Sequence, residues 1–208
     1  MEIFVYLVKN FVLFVKNVVG IFNNPYITYR RLAKEKEVPG HILYIFIAIG
    51  LYFGFASLLR TGFRNPYLLS VKFTSLTTAA LTGILLPVFV IFFLGKLLGG
   101  KSKLKNMFVL WSYTLVPTLF WFFLTSILYL LLPPPRTLSV FGKLFSLVFI
   151  AFSLSVLLWK MVLFYLALRF GLKLDLLKII IISLIITPLV VIYSFTFYKL
   201  GILRIPFI

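Results

Sequence analysis

The sequence predicts an all-α membrane protein, a bundle of five transmembrane helices preceded by an N-terminal amphipathic interfacial helix. Three observations predict it. Hydrophobic residues make up 62% of the 208 residues and charged ones only 12%, about half the charged share of an ordinary soluble domain. Apolar runs of about 20 residues, the length that crosses a bilayer, recur between short basic or proline-rich connections. The 21 Lys and Arg face only four acids, a net charge of +17. Because the basic residues flank the apolar runs, membrane topology accounts for them and nucleic-acid binding does not.

Residues 1–40 read as an N-terminal helix and basic linker, and residues 41–208 as a five-span membrane domain. In the first helix Glu2, Lys9, Lys16 and Asn23 recur every seven residues, as do Asn10, Asn17 and Asn24. Seven residues return to nearly the same helical face, so the two sets form one narrow polar stripe. The expected setting is the membrane interface, with the apolar body in the acyl boundary and the stripe toward water. As a spanning helix it would carry Lys9 and Lys16 at about 2.5–3.5 kcal/mol each near the centre. It has no basic n-region and no small-residue cleavage site, so it is a poor signal peptide.

Asn24-Pro25 ends this helix, since proline disfavours helical geometry in the residue before it. Arg30 to Glu37, RRLAKEKE, reads as a solvated cytoplasmic segment that also suits anionic lipid. After Pro39-Gly40 the five spans fall at about 42–59, 73–94, 107–132, 144–168 and 177–198. The loops on the N-terminal side carry 13 Lys and Arg, those on the opposite side seven, and Lys160 lies within the fourth span. That bias places the N-terminus in the cytoplasm. Pro133-Pro134-Pro135 makes a stiff external loop.

Between the second and third spans, Gly95 to Pro117 reads GKLLGGKSKLKNMFVLWSYTLVP. It is a small basic turn, around which the spans are arranged. Small residues mark two faces: Gly50, Gly54, Ser57 and Thr61 in the first span, and Ser75, Ala79 and Gly83 in the second. Small residues let helix backbones approach closely in lipid, so these faces are expected to pack, the first span on the second. Pro87, Pro117 and Pro188 fall inside the second, third and fifth spans and free backbone carbonyls there.

Little in the chain can carry catalysis. His41 is the only histidine, at the membrane edge with no acid nearby in sequence, and reads as an interfacial residue. The four acids, Glu2, Glu35, Glu37 and Asp175, all lie outside the predicted spans. There is no HExxH and no GxSxG, and without cysteine there are no disulfides and no thiolate metal sites. No catalytic residue, cofactor or metal is expected. Lys160 is the one charge inside a span. It either snorkels to the interface or faces a polar cavity, because Ser146, Ser153, Lys160 and Ala167 recur every seven residues on one face.

The order of parts resembles the Yip1 family. Asn24-Pro25 precedes the first span, Gly99-Gly100-Lys101-Ser102 ends the second, Tyr113-xxx-Pro117 opens the third, and Trp159 sits in the fourth before a short basic connection. The likeness covers most of residues 20–198 and marks Tyr113, Pro117, Gly99 and Gly100, beside Lys160, as candidate functional residues. The resemblance implies a five-helix integral membrane protein with a cytoplasmic N-terminus. Eukaryotic members are linked to vesicle traffic and Rab GTPases. Their long N-terminal region and Asp-Leu-Tyr-Gly-Pro motif have no counterpart here, which favours a prokaryotic member. The expected function is a non-enzymatic scaffold or partner-binding protein, and the alternative is a small transporter or channel subunit with a polar cavity near Lys160. Expected partners are membrane lipids, anionic ones above all, and a membrane protein or a second copy, with no nucleic acid. The expected location is the cell membrane, or the ER or Golgi membrane in a eukaryote.

Overall fold

Proline and glycine positions set most of the helix ends. The computed structural model describes residues 2–34, 40–61, 65–131 and 139–202. Its elements are α1 (Glu2–Asn23), α2 (Pro25–Leu32), α3 (Ile42–Thr61), α4 (Pro66–Leu97), α5 (Leu104–Tyr113), α6 (Val116–Leu131), α7 (Val140–Gly171) and α8 (Leu176–Lys199). Pro25 and Pro66 open helices, where the missing N–H has no partner to lose. Ser139 caps α7 by accepting a 3.0 Å hydrogen bond from the Gly142 N–H. The Pro133-Pro134-Pro135 loop and residues 35–39 of the linker lie outside the described residues.

Among the described residues, five helices are long and apolar enough to cross a membrane: Glu2–Asn23, Tyr67–Leu97, Leu104–Leu128, Val140–Gly171 and Leu176–Lys199, while Ile42–Leu58 is a shorter apolar helix. Packing reverses the ranking of the two N-terminal candidates. α3 lies among α4, α5 and α6, whereas α1 rests mainly on α2. The 20 residues of α3 rise about 30 Å, the thickness of the hydrocarbon core. The protein is thus an all-α membrane bundle with a peripheral N-terminal helix. α4 and α7, at 32 residues each, run about 48 Å. They reach beyond the apolar centres at 73–94 and 144–168 because their flanking basic residues continue the same helices.

Most of the tight packing gathers at one end of the bundle, where α4 and α7 finish and α5 and α8 begin. Ile91, Met107, Leu110, Leu163, Leu168, Leu172 and Ile182 are wholly buried there. The turn after α4 docks on the turn after α7. The Gly100 N–H bonds the Gly95 carbonyl at 2.7 Å, and the Lys101 N–H bonds the Leu172 carbonyl at 3.2 Å. The far end is thinner, with Val140, Phe141, Leu144 and Leu147 of α7 exposed.

Two expectations are corrected. Gly50 and Gly54 do not line a close crossing. A Cβ on Gly50 would meet nothing within 4 Å, and one on Gly54 only Phe73 at 3.9 Å. The buried stripe of α3 is Ile42, Ile45, Ile49, Phe53 and Ser57, so the two glycines lie one residue further round. They floor an open apolar groove with Leu51, Phe55, Leu58, Phe73 and Phe123. Large rings set the spacing of α3 instead, with Tyr52 stacked on Phe122 at 4.5 Å.

The small residues of α4 do pack, but on α8. A Cβ on Gly83 would lie 3.0 Å from the Tyr193 ring, and the Tyr193 hydroxyl donates to the Ala79 carbonyl. Ser75 turns back on its own helix, donating to the Val71 carbonyl. Pro117 lies inside the Leu104–Leu128 span, as expected, and interrupts its helix. It stands in the first turn of α6, after a break at Thr114 and Leu115.

Close approach to backbone is tightest at Gly100, where a Cβ would fall 2.7 Å from the Gly95 carbonyl oxygen and 3.2 Å from that of Leu172. Both obstacles are backbone and cannot swing aside. Gly100→Ala is expected to lower the melting temperature in detergent, at an overpacking cost of about 1–3 kcal/mol. Gly50→Ala is expected to leave it unchanged or slightly higher, because helix glycine is itself unfavourable by about 0.5–1 kcal/mol. Parallel thermal melts of the two variants check this.

Candidate functional site

Two asparagines of the α1 polar stripe build the site, and they face inward rather than toward water. Asn10 and Asn17 are buried, while Lys9 and Lys16, one residue round, are exposed. Asn24 is the only residue between α1 and α2, and the chain reverses tightly there. A Cβ on Gly20 would lie 2.5 Å from the Thr28 hydroxyl oxygen. This turn carries α2 back beside α1 and brings Arg31 over Asn17.

The second half of the site comes from the break between α5 and α6. Pro117 has no N–H to give the Tyr113 carbonyl, and its ring crowds that position. α5 therefore stops at Tyr113, and the Leu115 N–H closes on the Ser112 carbonyl at 3.2 Å. Thr114 contributes a 2.7 Å bond from its hydroxyl to the Trp111 carbonyl. The Tyr113 side chain, wholly buried, is left at a helix end facing the start of α3. The Tyr-xxx-Pro spacing is one structural unit.

Asn17 joins these parts. Its amide nitrogen donates to the Tyr113 hydroxyl at 3.1 Å and lies 3.4 Å from His41 Nε2, while its amide oxygen accepts from Arg31 at 2.5 Å. The His41 ring packs 5.7 Å from the Tyr113 ring. Gly40 lets α1 come close, since a Cβ there would meet the Tyr6 hydroxyl at 2.6 Å and the Asn10 amide at 3.0 Å. Around this junction Tyr44 donates to the Leu7 carbonyl at 2.7 Å and stacks on Phe14. Tyr29 is wholly buried, and burial, with the neighbouring Tyr113 second, pushes its phenol well above the usual range.

His41 is enclosed by the protein rather than open to its surroundings: it is 1% exposed. Burial first, and the Arg31 guanidinium second, lower its pKa from 6.5 to about 4. A neutral imidazole suits the contact, because the Asn17 amide N–H needs an acceptor at Nε2. In the segment from Arg30, Arg30, Arg31 and Lys34 are exposed, while Leu32 is buried and Arg31 also reaches Asn17.

The remaining candidates occupy other places. Gly99, with φ of +86°, and Gly100 form the turn docked on Leu172, at the opposite end of α5 from Tyr113. Lys160 is half-buried on α7, on the face that carries Val156, Leu163 and Ala167, all buried. One heptad away on that face, Ser153 accepts a 2.9 Å hydrogen bond from the Trp121 indole of α6. The sequence singled out Tyr113 but not Asn17, Arg31 or His41. The heptad of asparagines was the available signal, and its direction was misread.

The junction predicts a pH dependence. As pH falls below 6.5 the unfolded chain takes up a proton at His41, while the folded chain does so only near 4. The folded state therefore loses stability across that window and keeps it above 6.5. The melting temperature is expected to fall between pH 6.5 and about 4, and by less in His41→Gln, which cannot titrate. Detergent melts across this range compare the two proteins.

The family comparison adds the descent of this arrangement. The Yip1 domain matches residues 19–198, a stretch that takes in α2, the Asn24-Pro25 turn and every element of the bundle. No curated protein matches the chain, and no solved structure does. The match spans most of the chain, from before the first of the five bundle spans to the end of the last: this chain belongs to the Yip1 family.

Proposed function

We propose that this chain is a non-enzymatic membrane scaffold, a partner-binding protein that serves membrane organisation or trafficking. The carrying observation is the fastening of the α1–α2 hairpin through Asn17, Arg31, His41 and Tyr113. It holds a peripheral helix whose outer face, with Ile3, Phe4, Val5 and Val12 exposed, is wide and apolar. Such a face suits the headgroup–acyl boundary of the cytoplasmic leaflet or another membrane protein. Asn17, Arg31 and Tyr113 bond one another at the junction, which supports a structural rather than a catalytic role for them. The positive-inside rule puts the basic end and the N-terminus in the cytoplasm, of the cell membrane in a prokaryote or the ER or Golgi membrane in a eukaryote.

A second reading, a small transporter or channel subunit, has Lys160 in its favour. An ammonium on the packed face of a spanning helix, in line with the Ser153–Trp121 bond, is a place where an anion could be handled. Reconstitution into liposomes with a panel of ions and small solutes separates the readings. The scaffold reading expects no flux above protein-free vesicles, and flux lost in Lys160→Met would contradict it. Crosslinking in native membranes is the positive arm. There the scaffold reading expects a stoichiometric assembly, and a free monomer would contradict it.

Orientation is tested by cysteine labelling, helped by the cysteine-free background. Ser102 is buried, so the exposed Lys101 is the better probe on the basic end, with exposed Ser139 on the other. In intact cells an impermeant maleimide is expected to label Ser139→Cys and spare Lys101→Cys. The reverse pattern would invert the topology.

A further inference from the structure

An apolar groove runs between α4 and α5, lined by Leu85, Val88 and Phe89 from α4 and by Leu104, Lys105 and Phe108 from α5. Phe89 lies about 12 Å along the axis from the end of α4 at Leu97. The groove therefore starts within reach of the basic end of α4 and runs deeper past Leu85, the direction an acyl chain would take. Its single charged lining residue is Lys105, in the first turn of α5. Lys103 stands at the N-cap of α5, extended and exposed, and no side chain caps that helix. A helix start favours negative charge, and here it carries Lys105, which lines the slot, with Lys103 two residues before it. This is a different surface from the α1–α2 junction, and it stands whether or not the scaffold reading does.

We propose that this groove seats an acyl chain of an anionic glycerophospholipid, with its phosphate held by Lys105 and Lys103. Charge complementarity selects the occupant. A neutral zwitterionic lipid fills the slot equally well but gains less from two ammonium groups, and a soluble phosphate has no use for the apolar wall of Leu85, Val88 and Phe108. The site would tie one lipid to the joint between α4 and α5, beside the docked Gly99–Gly100 turn.

Native mass spectrometry of the purified full-length protein tests it, with phosphatidylglycerol and phosphatidylcholine of identical acyl chains in equal amounts. Phosphatidylglycerol is expected to be retained preferentially. Lys103→Gln/Lys105→Gln is expected to cut that preference by about fivefold per lysine, the scale of one basic residue at an anionic surface. Lys143→Gln/Lys199→Gln removes the same charge elsewhere and is expected to leave it intact. Leu85→Trp fills the slot without altering charge and is expected to reduce bound lipid, with the sizing profile and melt unchanged. Equal retention of the two lipids, equal loss in both lysine pairs, or full retention in Leu85→Trp would each overturn the assignment.

Discussion

Asn17 stands where four segments of the chain meet, and the attachment of α1 depends on how completely its amide is used. One amide group donates toward Tyr113 and His41 and accepts from Arg31. Asn17, His41 and Tyr113 are enclosed by the protein, out of reach of water and of lipid headgroups. A buried polar side chain left unmet there costs about 1–3 kcal/mol. Each of the four groups would be poorly placed without the others. The hydrophobic effect cannot fasten α1, because lipid tails are as apolar as the helix itself. Polar recognition supplies the geometry that apolar contact leaves undetermined.

The break at Pro117 makes that recognition possible. A continuous helix through residues 104–131 would carry Tyr113 past the start of α3 and keep its carbonyl within the helical ladder. Ending α5 at Tyr113 gives the third span a short, heavily buried first part and a longer second part that holds α3 through the Tyr52–Phe122 stack. At the other end of α5, the Gly99–Gly100 turn locks the ends of α4 and α7 together through backbone bonds. α5 is thus held at both ends, by a backbone contact near Gly100 and by a side-chain junction at Tyr113. Much of the buried core lies between.

Much of this fold was legible because lipid imposes simple rules. Apolar run lengths located the bundle spans, and proline and glycine located their interruptions. The motifs at Gly99–Gly100 and Tyr113-xxx-Pro117 proved to be the two ends of α5. What failed was direction. A polar stripe on an apolar helix can face water or a buried partner. Asn17 chose the partner because Arg31 and His41, remote in sequence, arrive beside it. The small residues Gly50 and Gly54 were read as a contact because small residues permit close approach. Permission is not attraction, and the rings of Tyr52, Phe73 and Phe122 set the spacing of α3 instead. Gly83 and Ala79 were legible as a packing face but not as one for Tyr193, whose hydroxyl finds a backbone carbonyl on α4.

A double-mutant cycle between Asn17 and Tyr113 tests the central claim most directly. The measured quantity is the stability of wild type, Asn17→Ala, Tyr113→Phe and the double variant in one detergent. If the junction fastens α1 to the bundle, the two changes are coupled, with an interaction energy of about 0.5–3 kcal/mol for groups in one network. The double variant then costs clearly less than the sum of the singles. Strict additivity would show that Asn17 and Tyr113 do not act together, and the attachment of α1 would have to rest on something other than this junction.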